Sequence, residues 1–432
     1  MRYLPLLGKL PSTALRSAVV CPNCWHSFPP ESVLWISVHS KLADEAILPS
    51  PGAIPEQRRF VPERFDVEGR ALDAEGAPCT QVACPRCRLH IPRAALELPT
   101  FVLSVFGTPM SGKSVFLASM AFSLRQHAAS LGLRFHDADL VLNKTLLEDE
   151  RRLFLDPAAD GYRTVRQAVE KTLLGGARYR KAVIDGHIAD FIPPYTFLAA
   201  PALGHPQVAD EARLARLLCM YDNAGEHFRP GADRADTIST RHLAAAKGLI
   251  FTFDPTQYRS LRRKLGLTKS SDLSDDRQDS ALLEAGRLIR EHAGLPQTAR
   301  VPQPLVVVLT KLDAWWSLLP ERVAKIPALR AFHGGDVQAL ALDVVDALSA
   351  ACRDLLWEYA REIVAAAESI ADEVIYIPVA ALGWDLQTDS QTGYVKVRTV
   401  DCEPYGVLVP VLYLLHRGGS RLPLAVRKKG SV

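Results

Sequence analysis

Two groups of residues in this 432-residue sequence have types and spacing suited to chemistry. The first is residues 107–115, GTPMSGKSV, in which Gly107, Ser111, Gly112, Lys113, Ser114 and Val115 are candidate nucleotide-binding positions. Glycines at this spacing let successive backbone N–H groups curl around a phosphate, and a helix starting beside them adds the positive end of its dipole. Lys113 can reach β- and γ-phosphates, and Ser114 can ligate Mg²⁺. The second group is CPNC at 21–24 with CPRC at 84–87. Each turn aims two thiolates at one ion, so Cys21, Cys24, Cys84 and Cys87 would close a tetrahedral Zn²⁺ site of the structural kind. Residues 25–83 separate the pairs, so the expectation is a zinc ribbon carrying a long insertion. Cys79 is a spare thiol nearby, and His26 and His90 rank below the four cysteines as ligands.

Two later motifs carry carboxylates. In DNAGE at 222–226, Asp222 suits Mg²⁺ through water, and the Gly225 N–H can donate to a γ-phosphate. In TKLD at 310–313, Asp313 can accept from guanine N1–H and the 2-amino group, while the stem of Lys311 lies over the base. Adenine lacks both donors, and an unpaired buried acid discriminates by orders of magnitude.

These side chains need rigid elements behind them. Phe101 to Phe106 is a β-branched and aromatic run, and helical spacing follows from Val115 to Leu131, so the glycine loop sits between strand and helix. Leu214–Tyr221, Gly248–Phe253, Leu305–Leu309 and Val374–Val379 read as further buried strands, delivering Asp222, Asp254, Thr310 and Ala380. Strand-like pieces at Ser32–Val38 and Phe60–Phe65 lie inside the ribbon insertion. Leu142–Phe154 and Val165–Leu174 have helical character, residues 256–304 form an insertion with a helix near Ala281 to His292, and 388–400 read as a hairpin or loop. Asp336 to Ile370 predicts one long sheet-covering helix, and Pro404 to His416 a final apolar one. The expected fold is α/β. A small zinc-ribbon domain at 1–98 precedes a three-layer P-loop domain with a mostly parallel sheet at 99–417, and a basic, frayed tail occupies 418–432.

Composition excludes more than it assigns. Hydrophobic residues make up 48% and charged residues 23%, ordinary for a globular chain, and a net charge of +3 gives no bulk surface for nucleic acid or membrane. No dense Lys/Arg cluster with interleaved aromatics accompanies the ribbon, which argues against nucleic acid as a partner. The first twenty residues lack an apolar core, and Tyr405–Leu415 falls far short of the ~20 residues that span a bilayer. The expectation is a cytoplasmic protein, in which paired cysteines favour metal over disulfides.

GTPMSGKS, DNAGE, TKLD and VAALG (379–383) occur in one order at strand ends, and together they resemble the TRAFAC-class GTPases over roughly residues 100–416. With the preceding ribbon, the layout is similar to bacterial double-GTPase families of predicted conflict or anti-phage loci. The resemblance implies a GTP-gated switch using GTP and Mg²⁺, with Zn²⁺ in the ribbon. It would work with companion proteins encoded nearby, and with itself, rather than as a metabolic enzyme. It further implies that the Ala381 N–H, with Leu382, contacts the base. Thr196, 26 residues before Asp222, would be the switch threonine, a catalytic residue and a third Mg²⁺ ligand beside Ser114 and Asp222, with Thr172 and Thr164 as alternatives. Three positions depart from the family pattern. Thr310 stands where asparagine is commoner, Ala380 where serine is usual, and Glu226 where Ras-like members carry the water-orienting glutamine. His227 competes with Glu226 for that role, alongside Lys113 as the electrostatic catalyst. The departure at Glu226 implies slow hydrolysis without a partner. Two other readings stand beside this one, a catalytically silent nucleotide-binding scaffold and a nucleic-acid-dependent ATPase clamping DNA with its ribbon. Asp313 argues against the second.

Overall fold

The structure is a computed structural model that describes residues 15–39, 41–44, 47–48, 57–156, 162–169, 176, 178–229, 238–267, 277–320, 327–384, 386–388 and 395–428. Its centre is a seven-stranded sheet built from β1 (Thr100–Phe106), β2 (Leu133–Asp137), β3 (Tyr195–Pro201), β4 (Arg216–Asp222), β5 (Gly248–Phe253), β6 (Leu305–Leu309) and β7 (Val374–Pro378). Their spatial order is β2-β3-β4-β1-β5-β6-β7. The run from β4 through β1 and β5 to β7 is parallel, and β3 alone opposes its neighbours β2 and β4.

Strand periodicity sorts the core into two sides. Phe101, Leu103 and Val105 of β1, with Leu218 and Met220 of β4, pack under α1 (Lys113–His127) and α5 (Leu408–Arg417). The alternate residues Val102 and Phe106, with Leu217, Cys219 and Tyr221, share a core with α2 (Gln278–Ala293), α4 (Arg361–Ile370) and the four knuckle cysteines. Because both faces are covered, β1 is buried from Phe101 to Phe106, which is why it reads as a continuous apolar run.

Several expectations are corrected. The helix expected over Asp336–Ile370 is three elements: a strand at Gln338–Ala341, α3 (Leu342–Tyr359), and α4 after a break at Ala360 (φ −147°, ψ 49°). The strand forms because Leu340 and Ala341 pair in parallel with Ala425 and Val426. That pairing also corrects the frayed tail. Leu422 and Ser420 are buried, and the Leu422 carbonyl lies 3.0 Å from His205 Nε2. The helical character expected over Leu142–Phe154 is present as Lys144–Glu150, continuing into a wider helical turn at Arg151–Leu155.

The ribbon is a small four-stranded sheet in the order 59–60, 34–36, 82–83, 90–91. Its insertion crosses to the larger domain, where Ile47 and Leu48 pair with Ala182 and Lys181 of the hairpin Arg180–Ile184/His187–Phe191. Among the described residues, no helix is long and apolar enough to cross a membrane.

Candidate functional site

The site lies off the C-terminal ends of the parallel strands. β1 has β4 on one side and β5 on the other, the kind of crevice where open α/β sheets hold ligands. The glycine loop leaves β1 at Gly107, whose φ of +154° and surroundings both exclude a side chain. A Cβ there would lie 2.5 Å from Thr252 Oγ1 and 2.7 Å from the Thr252 carbonyl. Gly112, at φ +90°, turns the loop into α1. Lys113 is buried and donates to the carbonyls of Gly107 (3.0 Å) and Thr108 (2.7 Å), curling its stem across the loop. Ser111 braces the loop. Its hydroxyl donates to Thr108 O (2.8 Å) and lies 2.7 Å from Thr252 Oγ1 of β5, while its carbonyl accepts from Thr310 Oγ1 (2.9 Å). Val115 follows in the first turn of α1, half-buried. A glycine-built loop, a lysine and a fresh helix N-terminus suit a phosphate chain.

β4 brings its carboxylate to that loop. Asp222 Oδ2 accepts from the Ser114 hydroxyl at 3.3 Å, so two of the three residues expected at Mg²⁺ meet. A hydroxyl and a carboxylate are the hard oxygen donors Mg²⁺ takes alongside waters and phosphate oxygens, so they fit that ion. Gly225 is pressed on the glycine loop. A Cβ there would lie 2.4 Å from Pro109 N and 2.7 Å from the Thr108 carbonyl carbon. Glu226 is half-buried in the same turn. His227 is buried, and its Nε2 lies 2.7 Å from the Tyr179 hydroxyl, which commits that ring nitrogen within the protein.

Thr196 is not brought to this corner. It lies inside β3 opposite Cys219, three residues below Asp222 on β4 or about 10 Å along the strand, fully buried. Asn143 brackets its backbone, accepting from the Thr196 N–H (2.7 Å) and donating to its carbonyl (2.8 Å). Antiparallel pairing therefore extends further towards Asp222 than the spacing implied. Thr164 pairs with Lys396 in a separate small sheet, and Thr172 lies outside the described residues.

Beyond β5 and β6 lies the end expected to read the base. Thr310 Oγ1 donates to Ser111 O and to Phe253 O (3.2 Å), so the shorter threonine still ties β6 to the glycine loop. Lys311, in a left-handed conformation (φ 56°), pairs with the fully buried Asp254 at 2.6 Å. Burial pushes the Asp313 carboxyl up to about 6, against the pull of its own backbone amide and of Lys311. Ala381 and Leu382 follow β7 in a loop closed by Ala380, which exchanges backbone hydrogen bonds with Tyr405 (3.1 and 2.8 Å). Gly383, at φ +89°, backs onto Glu403.

The four cysteines converge as their spacing implies. Their sulfurs lie within 4.8 Å of one another, with Cys21–Cys87 at 3.8 Å and Cys24–Cys84 at 3.7 Å. A tetrahedron of 2.3 Å Zn–S bonds has an edge of about 3.8 Å, so the donor set fits Zn²⁺. Asn23 N–H donates to Cys21 Sγ and Arg86 N–H to Cys84 Sγ, and a left-handed residue, Trp25 or Arg88, closes each knuckle. Burial raises the Cys21 thiol, while its hydrogen bond to Cys24 lowers Cys24. Cys79 is buried away from the cluster, and His90 pairs with Asp139 at 2.9 Å.

Nothing in the sequence marks Arg178, Tyr179, Asn143 or Thr252 for this site, and it places Asp254 at a strand end without a role. The signal for Asp254 was that of an acid directly after a buried strand.

No family model and no curated protein matches the chain. Among solved structures, sup35 complexed with GDP aligns at 13% identity with a TM-score of 0.23, over 66% of this chain and 38% of that one. Sup35 complexed with GMPPNP aligns at 14% and 0.22, with the same coverage. The chain thus spans well under half the length of those structures.

Proposed function

We propose that this protein binds GTP with Mg²⁺ as a molecular switch, hydrolyses it slowly, and carries a structural Zn²⁺ in its ribbon. The observation that carries the reading is the meeting of Ser114 with Asp222 beside the Lys113 loop, with Thr310 tying the Asp313 turn to the same loop. In this reading Lys113 and the backbone N–H groups hold phosphates, Ser114 and Asp222 orient Mg²⁺, and Asp313 pairs with guanine. Mg²⁺ supplies charge neutralisation at the phosphates, and positioning does the rest. Glu226 would stand where a glutamine orients the attacking water, and its charge favours binding over turnover. Coupling to companion proteins is part of the proposal and would supply the stimulus for hydrolysis.

The deciding experiment measures GTP and ATP affinity of purified protein, then single-turnover hydrolysis by wild type, Glu226→Gln, His227→Ala and Lys113→Ala. The expected outcome is GTP preference, loss of binding in Lys113→Ala, and wild-type turnover near 10⁻⁴ s⁻¹ on the Ras-like scale of about 3–5 × 10⁻⁴ s⁻¹. Glu226→Gln should be faster. His227→Ala should lower stability more than turnover, because Nε2 is engaged by Tyr179. Equal affinity for ATP would overturn the base assignment. Binding with no turnover in any variant would favour a silent nucleotide-binding scaffold.

A further inference from the structure

We propose that Arg178 is a built-in counter-ion for the metal-binding carboxylate, which a divalent cation must displace. The inference rests on the nucleotide-binding reading above. Arg178 enters the site just before the hairpin that leads to β3, and its side chain is only 10% exposed. One guanidinium nitrogen lies 3.2 Å from Asp222 Oδ2 and 3.4 Å from the Asp222 carbonyl. The other donates to the Pro193 carbonyl at 3.2 Å, and the guanidinium carbon stands 4.0 Å over the Tyr195 ring. Hydrogen bonds and the ring therefore fix the charge on three sides.

The oxygen it holds is the one Ser114 reaches. Asp222 Oδ2 accepts from both Ser114 Oγ and Arg178, so the guanidinium borders the corner that hydroxyl and carboxylate define. A divalent ion oriented by Ser114 and Asp222 would draw on the same carboxylate, and it repels a guanidinium at hydrogen-bonding range. Arg178 and the metal are thus linked, and each weakens the other's hold on Asp222. Tyr195 and Pro193 keep the arginine beside the site once Asp222 is surrendered. The arrangement lowers the carboxylate's hold on a cation by itself and favours Mg²⁺ that arrives with a nucleotide, whose phosphates add to its ligands.

Competition predicts an effect opposite in sign to structural damage. If Arg178 only props the loop, removing it would leave Mg²⁺-dependent nucleotide retention unchanged or weaker. If it competes, removal tightens it. The test titrates Mg²⁺ against retention of a fluorescent GDP in full-length wild type, Arg178→Ala and Arg178→Lys, with thermal stability measured alongside. The expected result is a Mg²⁺ midpoint about tenfold lower in Arg178→Ala, the size of a lost charge-assisted hydrogen bond. Arg178→Lys, which keeps the charge without the fork, should fall between. A midpoint unchanged or raised in Arg178→Ala overturns the competition while leaving the nucleotide reading intact. Wild type that retains no GDP at any Mg²⁺ concentration overturns both.

Discussion

At the scale of single residues, Asp313, the acid proposed to read the base, offers the sharpest measurement. Because burial pushes the Asp313 carboxyl up to about 6, the ionised form proposed to pair with guanine is depleted on acidification. At pH 5 about a tenth remains ionised, so GTP affinity should be about tenfold weaker than at pH 7.5. Stability runs the other way. The folded chain binds this proton more tightly than the unfolded one, so Asp313 costs stability as pH rises from about 4 through 6. Asp313→Asn should therefore abolish the pH dependence in that window and shift preference from GTP to xanthosine triphosphate, whose 2-oxo group accepts from the amide. Unaltered GTP affinity in Asp313→Asn would refute the assignment. Asp313 was legible because its residue type and place after a buried strand are local facts. Arg178 was not, since nothing within its neighbourhood in sequence shows that it will meet Asp222, 44 residues on.

At the scale of elements, the strand ends were legible for the same local reason. β1, β5, β6 and β7 are buried on both sides and each is a run of apolar residues that ends where polarity returns. The strand at Gln338–Ala341 was hidden because its partner, Ala425–Val426, lies more than eighty residues away and helical periodicity continues through it. The packing of the Gly225 turn on the glycine loop was equally non-local, and it yields a prediction. In Gly225→Ala the new methyl meets backbone atoms, Pro109 N at 2.4 Å and Thr108 C at 2.7 Å, which cannot swing aside as a side chain would. Overpacking of this kind costs about 1–3 kcal/mol. The displaced element is either the glycine loop or the turn holding Glu226. We expect GTP affinity to fall at least about tenfold, with melting only a few degrees lower. Calorimetric binding beside a thermal melt separates the two effects, and wild-type affinity in Gly225→Ala would show that the loop adapts freely.

At the scale of the whole molecule, the cysteine-bearing sheet meets the large sheet's surroundings at several points, among them His90–Asp139 and Arg86–Asp185, and two further contacts lie beside Asp222. The Tyr221 hydroxyl donates to the Pro22 carbonyl, and its ring packs 5.9 Å from Trp25, so the first knuckle rests on the residue that precedes Asp222. The insertion strand Ile47–Leu48 pairs with Lys181 and Ala182, three and four residues after Arg178. Structural Zn²⁺ contributes about 10–16 kcal/mol in small zinc-finger peptides, as much as the whole stability of a typical domain. Removing it should therefore melt the ribbon and release both contacts at once. Metal analysis should find one Zn²⁺ per chain in wild type and none in Cys24→Ser. Without zinc, hydrogen exchange should rise first in the hairpin at 180–191 and at the end of β4. β7 and α5, which lie across the sheet from the ribbon, should stay protected. GTP affinity should fall with the zinc, because β4 and the Arg178 segment both lose their backing. A zinc-free protein that keeps its ribbon protected would remove the metal from the fold. A melted ribbon with undiminished GTP affinity would instead show that the large sheet and its helices hold Asp222 and Arg178 in place by themselves.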